Sequence, residues 1–313
     1  MIKLKQESGA VFMDLRQIRY FITVAEELNI TKAAEKLHLS QPPLSRALME
    51  LENELGCTLF IRGKRHLTLT AEGLAFKRRG EQLLTLVDMT KAEISEMQNG
   101  ISGTLYIGHV DSNGPTLVAE WIESFKKIYP NVTYNLWCGN VDDLTDRLKS
   151  GLIDLAITMT PTNCDLLDGF KVFSENWVAI IPANASLGKS KKLYITLDEL
   201  IDKDLIISSR RSREDEIRGW FKNFKKEPHF IVKTAHSSNA AKLVSRDLGI
   251  ALFPASVAKN ISSSANVVIK NISPTINVDY LLSWDNERHP NALATKFITH
   301  VKEMYGIIDS PHD

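Results

Sequence analysis

The chain has 313 residues, of which 43% are hydrophobic and 24% are charged, and its 38 basic residues balance 38 acidic ones. This length predicts about two domains, and the composition argues against a wholly disordered chain. No apolar run approaches the roughly 18 residues that span a bilayer, and the three scattered cysteines form no disulfide framework. We therefore expect a cytoplasmic protein, neither an integral membrane protein nor a disulfide-stapled secreted module.

The apolar pattern changes once along the chain. Residues 15–97 read as helices with one short alternating interruption, whereas from Thr104 onward strand-like runs alternate with amphipathic helical windows, as in an α/β domain. Residues 99–103 lie between these parts and contain two glycines, which indicates a hinge. Residues 1–12 are weakly patterned and are interpreted as an N-terminal extension, so that either Met13 is the natural start or the extension is a mobile arm.

The first part contains a predicted helix-turn-helix at about residues 30–49. Thr31 is the predicted N-cap of its first helix. After a tight turn, Ser40 is placed to cap a second helix, whose first turn holds Pro42 and Pro43, where missing N–H groups cost nothing. Two short helices joined by so tight a turn are typical of this motif.

The second helix of this motif has an apolar face and a polar arc. One side of the helix carries Leu44, Leu48 and Leu51, and this spacing predicts that the side is buried. The arc begins at the helix N-terminus, where free amides favour phosphate oxygens. Its glutamine and arginine suit the base edges of adenine and guanine, as a helix that reads the major groove requires. An ordinary solvated face is the alternative interpretation. The arc consists of Gln41, Pro42, Ser45, Arg46 and Met49.

A basic hairpin follows the motif and favours DNA binding. Short alternating stretches at 59–61 and 67–69 flank a tip that can reach a phosphate or the minor groove. Residues 31–79 hold nine basic and five acidic side chains inside a neutral chain, which is the electrostatic footprint of a nucleic-acid binder. The predicted DNA-contacting residues are Thr31, Lys32, Gln41, Pro42, Ser45, Arg46, Met49, Arg62, Lys64 and Arg65.

A long helix is predicted over residues 71–98, with Thr70 as its cap. Its apolar residues alternate spacings of four and three, which indicates a heptad seam. A dimer seam is our interpretation, because a dimer reads two half-sites. Packing against its own domain is the alternative. The seam consists of Phe76, Gly80, Leu83, Val87, Thr90, Ile94 and Met97.

From Met13 onward these residues resemble the LysR-type transcriptional regulators. The resemblance is carried by MDLRQIRYF at 13–21, AAEKL at 33–37, SQPPLSR at 40–46, LENELG at 51–56, LFIR at 59–62 and LTAEG at 69–73. It implies a winged helix-turn-helix DNA-binding domain at 13–70, a dimerising linker helix at 71–98, and a two-lobed α/β effector domain like periplasmic binding proteins. It also implies double-stranded promoter DNA as partner and a dimer of dimers, and makes RNA polymerase a candidate partner.

The predicted effector domain spans residues 104–305, and 306–313 form a tail. Lobe I takes 104–174 and 275–305, lobe II takes 175–274, and the repeated strand-helix-strand order predicts a mostly parallel sheet. In such sheets ligands lie beyond the carboxyl ends of strands. The polar residues predicted there are Asp111, Ser112, Asn113, Asn140, Thr158, Thr160, Ser208, Ser209, Arg210, Ser237 and Ser238.

Several of these side chains keep a second interpretation. Asn140 is equally a helix cap. The guanidinium groups of Arg210, Arg211 and Arg213 suit a carboxylate or phosphate ester and so favour an anionic effector, with plain surface solvation as the alternative.

Fingerprints of catalysis and metal binding are missing from the sequence. There is no GxxxxGK[ST], GxGxxG or GxSxG motif, and the eight histidines show no metal-ligand spacing. Cys138 and Cys164 make a redox pair only if the fold brings them together. We expect no catalytic residue, no metal and no cofactor beyond a small effector. Two alternatives stay open: a two-lobed binding protein or enzyme whose N-terminal helices serve assembly, and a ligand-independent architectural DNA binder.

Overall fold

The computed structural model describes residues 13–63, 67–99, 102–162, 165–259, 261 and 266–307. It separates into two compact units, Met1–Ile94 and Ser95–Asp313. Some predictions lie outside the described residues. They concern the extension at 1–12, Lys64, Arg65, Cys164, residues 100 and 101 of the hinge, and the tail from 308 onward.

The first unit is a winged helix-turn-helix followed by a long helix, which confirms the predicted N-terminal fold. A short antiparallel hairpin pairs Ile61 with Thr68. The elements are α1 (Leu15–Glu27), α2 (Ile30–Lys36), α3 (Gln41–Leu55), β1 (Phe60–Arg62), β2 (Leu67–Leu69) and α4 (Ala71–Asn99), the last of which continues into the second unit.

The core of this unit lies under α3. The predicted apolar face of that helix is confirmed, since Leu44, Leu48 and Leu51 are all buried. Phe21 of α1 lies edge-on against Phe76 of α4, with ring centroids 4.8 Å apart. These contacts pack the start of the long helix against α1.

Glu52 of α3 ties the hairpin to this core. Its carboxylate accepts hydrogen bonds from the backbone N–H groups of Leu59 at 2.7 Å and Phe60 at 3.2 Å. Hydrogen bonds to a charged acceptor are stronger than neutral ones. The orientation of β1 is therefore fixed from the buried side of α3.

Helix caps in this unit follow the sequence at one position and depart from it at another. Thr70 caps α4 as predicted, since its hydroxyl accepts from the Gly73 N–H at 2.9 Å. The cap predicted at Thr31 is wrong: α2 begins earlier, and the Asn29 carboxamide accepts from the N–H groups of Thr31 and Lys32. Ser40 occupies the cap position of α3 but makes no side-chain cap hydrogen bond.

Two residues of the predicted seam on α4 pack within their own unit. Phe76 contacts Phe21, and Gly80 is buried so close to α1 that an added Cβ would lie 3.1 Å from Ile18 Cγ2. The alternative interpretation, packing against its own domain, therefore applies to these two positions, and the dimer seam stays a prediction. Farther along the helix, Leu83 and Ile94 are exposed.

The second unit is a two-lobed α/β domain, as predicted. One sheet has the order β4-β3-β5-β12-β6 and the other β6-β10-β8-β9, with β11 pairing β6 and β7. The elements are β3 (Gly103–His109), α5 (Gly114–Ile128), β4 (Val132–Cys138), α6 (Val141–Lys149), β5 (Leu155–Met159), β6 (Leu167–Pro182), α7 (Ser186–Lys189), β7 (Tyr194–Thr196), α8 (Leu197–Leu200), β8 (Asp204–Ser208), α9 (Arg211–Trp220), β9 (His229–Thr234), α10 (Ser238–Val244), β10 (Ile250–Pro254), α11 (Ala255–Lys259), β11 (Val267–Ser273), β12 (Asn277–Asp285) and α12 (Ala292–Met304).

Strand β6 belongs to both lobes. Up to Asn176 it pairs with β12 of lobe I, and from Trp177 it pairs with β10 and β11 of lobe II. The prediction of a mostly parallel sheet is wrong here, because β6 and β12 run antiparallel to their neighbours. These are the two strands by which the chain passes between lobes, so no helical crossover sets their direction. Strands β3–β5 and β8–β10 are joined in parallel pairs.

Within the described part of the chain, no helix combines the length and apolarity needed to cross a membrane. The same residues hold no cluster of three or more histidine, cysteine, aspartate or glutamate side chains that could bind a metal ion.

Gly73→Ala should destabilise the first unit. The added Cβ would lie 2.1 Å from the Leu59 carbonyl oxygen, so backbone must move, at a cost of about 1–3 kcal/mol. Urea unfolding followed by circular dichroism measures this change. Gly219→Ala in α9 is the control, because an added Cβ meets no described atom within 4 Å there, and it should stabilise the chain by about 0.4–1 kcal/mol. If Gly73→Ala has the same free energy of unfolding as the parent, the close approach of residue 73 to the Leu59 carbonyl oxygen is contradicted.

Candidate functional site

The polar arc of α3 faces away from the core of its unit. Gln41, Pro42, Arg46 and Met49 are exposed and Ser45 is partly exposed, and they follow the helix from its first residue. Because no described residue of the unit covers them, their side chains are accessible to a partner. The structure therefore brings together the five α3 residues predicted to contact DNA.

Basic residues around this arc differ in their surroundings. Lys32 is exposed in the first turn of α2. Lys36, one turn later, donates to Glu26 at 3.0 Å and to Glu27 at 3.1 Å, and these hydrogen bonds raise its pKa. Only Lys32 of the two keeps an ammonium without an acidic neighbour among the described residues.

The hairpin tip is described only in part. Arg62 ends β1, but its side chain lies outside the described part of the chain, as do Lys64 and Arg65. Their predicted contacts with DNA stay predictions. Ile61, next to them, is exposed.

A cavity of about 430 Å³ lies between the two lobes of the second unit. Its apolar wall includes Val110, Met159, Trp177 and Phe253. The structure brings most of the predicted effector residues to this cavity. Those that line it are Asp111, Ser112, Asn140, Ser208, Ser209, Arg210 and Ser237. Asn140 also caps α6, because its carboxamide accepts from the Asp143 N–H at 2.9 Å.

Four predicted effector residues do not line the cavity. Thr158 is fully buried within the sheet and its hydroxyl pairs with Ser283 at 2.8 Å, so its predicted contact with a ligand is wrong. The Thr160 hydroxyl accepts from the backbone N–H of β12 residue Asp279. Asn113 and Ser238 lie at the starts of α5 and α10, outside the cavity lining.

Charged and polar contacts join the lobes across the cavity. The Asp111 carboxylate of lobe I accepts from the Ser237 N–H at 2.7 Å and from its hydroxyl at 2.8 Å. Asp142 of lobe I accepts from Nη2 of Arg210 at 3.1 Å and from its Nε at 3.3 Å. Two donors of lobe II, Ser237 and Arg210, are therefore already bound to carboxylates of lobe I.

Arg213, another predicted anion ligand, also lines the cavity, but its side chain is almost fully buried. Its guanidinium forms an ion pair with Glu216 and donates to the Thr160 carbonyl at 2.8 Å. It also lies 5.0 Å from the ring centroid of Trp177. Burial lowers the pKa of Arg213 and raises that of Glu216, and each charge opposes the shift of the other. Arg210 and Arg213 are thus both neutralised, which weakens the expectation of an anionic effector.

A hydrogen-bond network that was not predicted from the sequence lies beside the cavity. The hydroxyl of Tyr280 in β12 donates to Glu175 at 2.5 Å and lies 2.6 Å from the Ser112 hydroxyl. Glu175 of β6 also accepts from the Ser256 hydroxyl of lobe II at 2.8 Å. Burial and the neighbouring Glu175 charge raise the pKa of Tyr280. The partners are far apart in sequence, so no local pattern could have indicated this network.

Two further side chains of the cavity have a bearing on its chemistry. The indole N–H of Trp177 is buried and has no hydrogen-bond partner among the described residues, so a ligand acceptor could satisfy it. Burial and nearby Asp111 raise the pKa of the Cys138 thiol, which keeps it protonated and weakly nucleophilic. The conditional redox pairing of Cys138 with Cys164 involves a residue outside the described part of the chain.

Comparison with known proteins decides the family. The family model described as "Bacterial regulatory helix-turn-helix protein, lysR family" matches residues 15–74, and the "LysR substrate binding domain" matches 98–306. The chain belongs to the LysR family of transcriptional regulators. It is 32% identical over 246 residues to the HTH-type transcriptional regulator BsdA of Bacillus subtilis (strain 168), covering 77% of this chain and 84% of BsdA.

Solved LysR-family structures show the same architecture. CbnR, a LysR family transcriptional regulator, has a TM-score of 0.75 at 24% identity over 93% of this chain and 99% of CbnR. Full-length CbnR complexed with its target DNA has a TM-score of 0.74 at 26% identity, with the same coverage. This LysR-family chain is therefore a transcriptional regulator with a DNA-binding helix-turn-helix and an effector-binding domain.

Arg213→Met should destabilise the effector domain by on the order of 3 kcal/mol, because it leaves the partly buried Glu216 carboxylate without its charge partner. Urea unfolding of the full chain measures this cost. Arg211→Met is the matched control on the same helix, since Arg211 is exposed and its loss should change the free energy of unfolding by less than about 0.5 kcal/mol.

The cost of Arg213→Met should also depend on pH. Burial already raises the pKa of Glu216, and Arg213 opposes that rise, so removing the guanidinium raises the folded-state pKa further above the unfolded value. Such a carboxyl group loses stabilisation as the pH rises through its folded-state pKa. The penalty should therefore be larger near about pH 8 than near about pH 5. Equal penalties at both pH values would contradict the pairing.

Proposed function

We propose that the regulator reads promoter DNA with the polar arc of α3 in the major groove. The observation that carries this proposal is the exposure of the arc over a fully packed leucine face in a LysR-family chain. Gln41 and Arg46 carry the side-chain types that pair with adenine and guanine edges, and Ser45 suits a base or phosphate. Lys32, at the start of α2, suits a phosphate. Arg62, Lys64 and Arg65 of the hairpin are proposed to reach the flanking backbone or minor groove.

We further propose that a small molecule binds in the cavity between the lobes. The apolar wall would hold its body, and Ser209, Ser237 and the free Trp177 N–H offer hydrogen-bond donors. The ligand must compete with Asp111 for Ser237 and with Asp142 for Arg210. Its binding would change how the two lobes close, to the extent that it binds the closed and open arrangements unequally. No metal or other cofactor is part of this proposal.

The proposed assembly is a dimer of dimers that acts without catalysis. Exposed apolar residues on α4, such as Leu83 and Ile94, suit a helix pair between two copies, and two reading heads bind two half-sites. Effector binding would then alter the spacing or angle of the heads and the bend of the DNA. Promoter DNA of a bacterial cell lies in the cytoplasm, so we place the protein there. RNA polymerase is a further proposed partner.

Arg46→Ala should weaken binding to the preferred DNA sequence by about 1–3 kcal/mol and hardly change binding to random DNA. The preferred sequence is obtained by selection from a randomised duplex library, and affinities are measured by fluorescence anisotropy over a salt series. Lys32→Ala should weaken both kinds of binding alike and reduce the salt slope by about one.

Lys91→Ala is the control for this series. Lys91 is an exposed residue of α4 beyond the winged part of the unit, so its loss should leave both affinities unchanged. Equal losses on preferred and random DNA for Arg46→Ala would contradict the assignment of α3 as the reading helix.

Ligands found by thermal-shift screening of a metabolite library against the full chain should bind about five- to tenfold more weakly to Ser237→Ala, which loses one hydrogen-bond donor. Trp177→Phe should cause a similar loss. Ser238→Ala is a matched control at the next position, because Ser238 does not line the cavity. If Ser237→Ala and Ser238→Ala lower ligand affinity equally, the effector binds outside this cavity.

A further inference from the structure

Arg46 has a carboxylate partner on its own helix. Its Nε lies 2.9 Å from Oε1 of Glu50, one turn further along α3. The Arg46 side chain is 80% exposed and that of Glu50 is 40% exposed. The pair therefore lies on the surface that we assign to DNA, and Glu50 borders the polar arc without having been among its predicted members.

The other glutamates of α3 have structural partners. Glu52 accepts from the backbone of β1 at Leu59 and Phe60, and Glu54 accepts from the Met13 N–H at 2.7 Å. Glu50 instead pairs with an exposed side chain. Exposed pairs of this spacing contribute little to stability, and a carboxylate close to a duplex is repelled by its phosphates. Glu50 therefore adds little to the stability of the fold, and its charge opposes the attraction between this surface and DNA.

The geometry of the pair leaves the reading end of Arg46 unoccupied. Glu50 accepts from Nε, and the two Nη groups of Arg46 have no hydrogen-bond partner among the described residues. Two N–H donors are what the O6 and N7 acceptors of guanine require. An unrestrained arginine loses much rotamer freedom on binding, and a guanidinium already held in place loses less.

We propose that Glu50 is a positioning residue for base reading. It holds the Arg46 guanidinium through Nε, so that both Nη groups are presented to a guanine edge, and it disfavours rotation of the same guanidinium toward a phosphate. The inference rests on the proposed role of Arg46 in reading a base. It assigns to Glu50 a gain in sequence discrimination at the expense of total affinity.

The test selects binding sites from a randomised duplex library with the full-length parent, Arg46→Ala, Glu50→Ala and Glu50→Gln. Arg46→Ala identifies the guanine position that depends on Arg46. At that position Glu50→Ala should reduce the preference for guanine about tenfold, because a bound duplex excludes water and strengthens a pair that is weak in the free protein. Glu50→Gln, which keeps an oxygen acceptor for Nε, should reduce it only about threefold. Unfolding midpoints should stay at the parent value.

Glu35→Gln is the matched control for charge. Glu35 is exposed on α2, so this variant removes the same charge from the same unit without touching Arg46. Both Glu35→Gln and Glu50→Gln should raise affinity for random DNA by a similar factor of about two to three, but only the Glu50 variants should change base preference. A loss of preference in Glu35→Gln equal to that in Glu50→Gln would overturn the positioning role.

Two further results would overturn the inference in distinguishable ways. If Arg46→Ala removes a guanine preference that Glu50→Ala leaves intact, Glu50 has no positioning role, while the proposed reading by Arg46 stands. If Arg46→Ala changes no base preference, the proposed role of Arg46 fails and the inference fails with it. A Glu50→Ala effect at a different position would instead show that Glu50 reads a base itself.

Discussion

Burial of the leucine face of α3 determines where its polar side chains point. Leu44, Leu48 and Leu51 are almost fully removed from solvent, and burying each contributes about 1.5–3 kcal/mol. Turning the helix to hide its polar arc would lose most of this free energy, whereas no single interaction of the arc is comparably strong. The arc therefore stays exposed before any partner arrives.

The cavity of the effector domain follows a different principle, since four of its polar side chains are engaged with each other before a ligand arrives. Asp111 binds Ser237 and Asp142 binds Arg210 across the lobes. A ligand that enters must exchange these contacts for its own, so its net gain is the difference between two sets of hydrogen bonds. Behind them, Glu175 in the crossing strand β6 binds both Tyr280 and Ser256. The strand that connects the two lobes is thus hydrogen-bonded to residues beside the cavity.

Sequence periodicity predicted the parts of the fold that depend on neighbouring residues. The buried face of α3, the Thr70 cap and the alternation of strands and helices all follow from spacing within one element. The predictions that depend on another element fared worse. Thr158 lies in a strand, yet the partner of its hydroxyl is Ser283 on β12. Phe76 and Gly80 of the heptad pattern pack against α1 of their own unit. A one-dimensional pattern identifies an apolar face but not the surface that covers it.

Arg46 and Arg213 show that exposure, rather than residue type, separates a side chain available to a partner from a structural one. Each has a glutamate partner on its own helix, at positions i+4 and i+3, and both spacings are visible in the sequence. Arg213 is 2% exposed at its side chain and Arg46 is 80% exposed. In the buried pair, loss of either partner leaves a desolvated charge, so the contact is fixed. In the exposed pair water screens the attraction, and the guanidinium stays available to a stronger partner. The same pairing therefore compensates a buried charge in one unit and leaves an exposed donor available to a partner in the other.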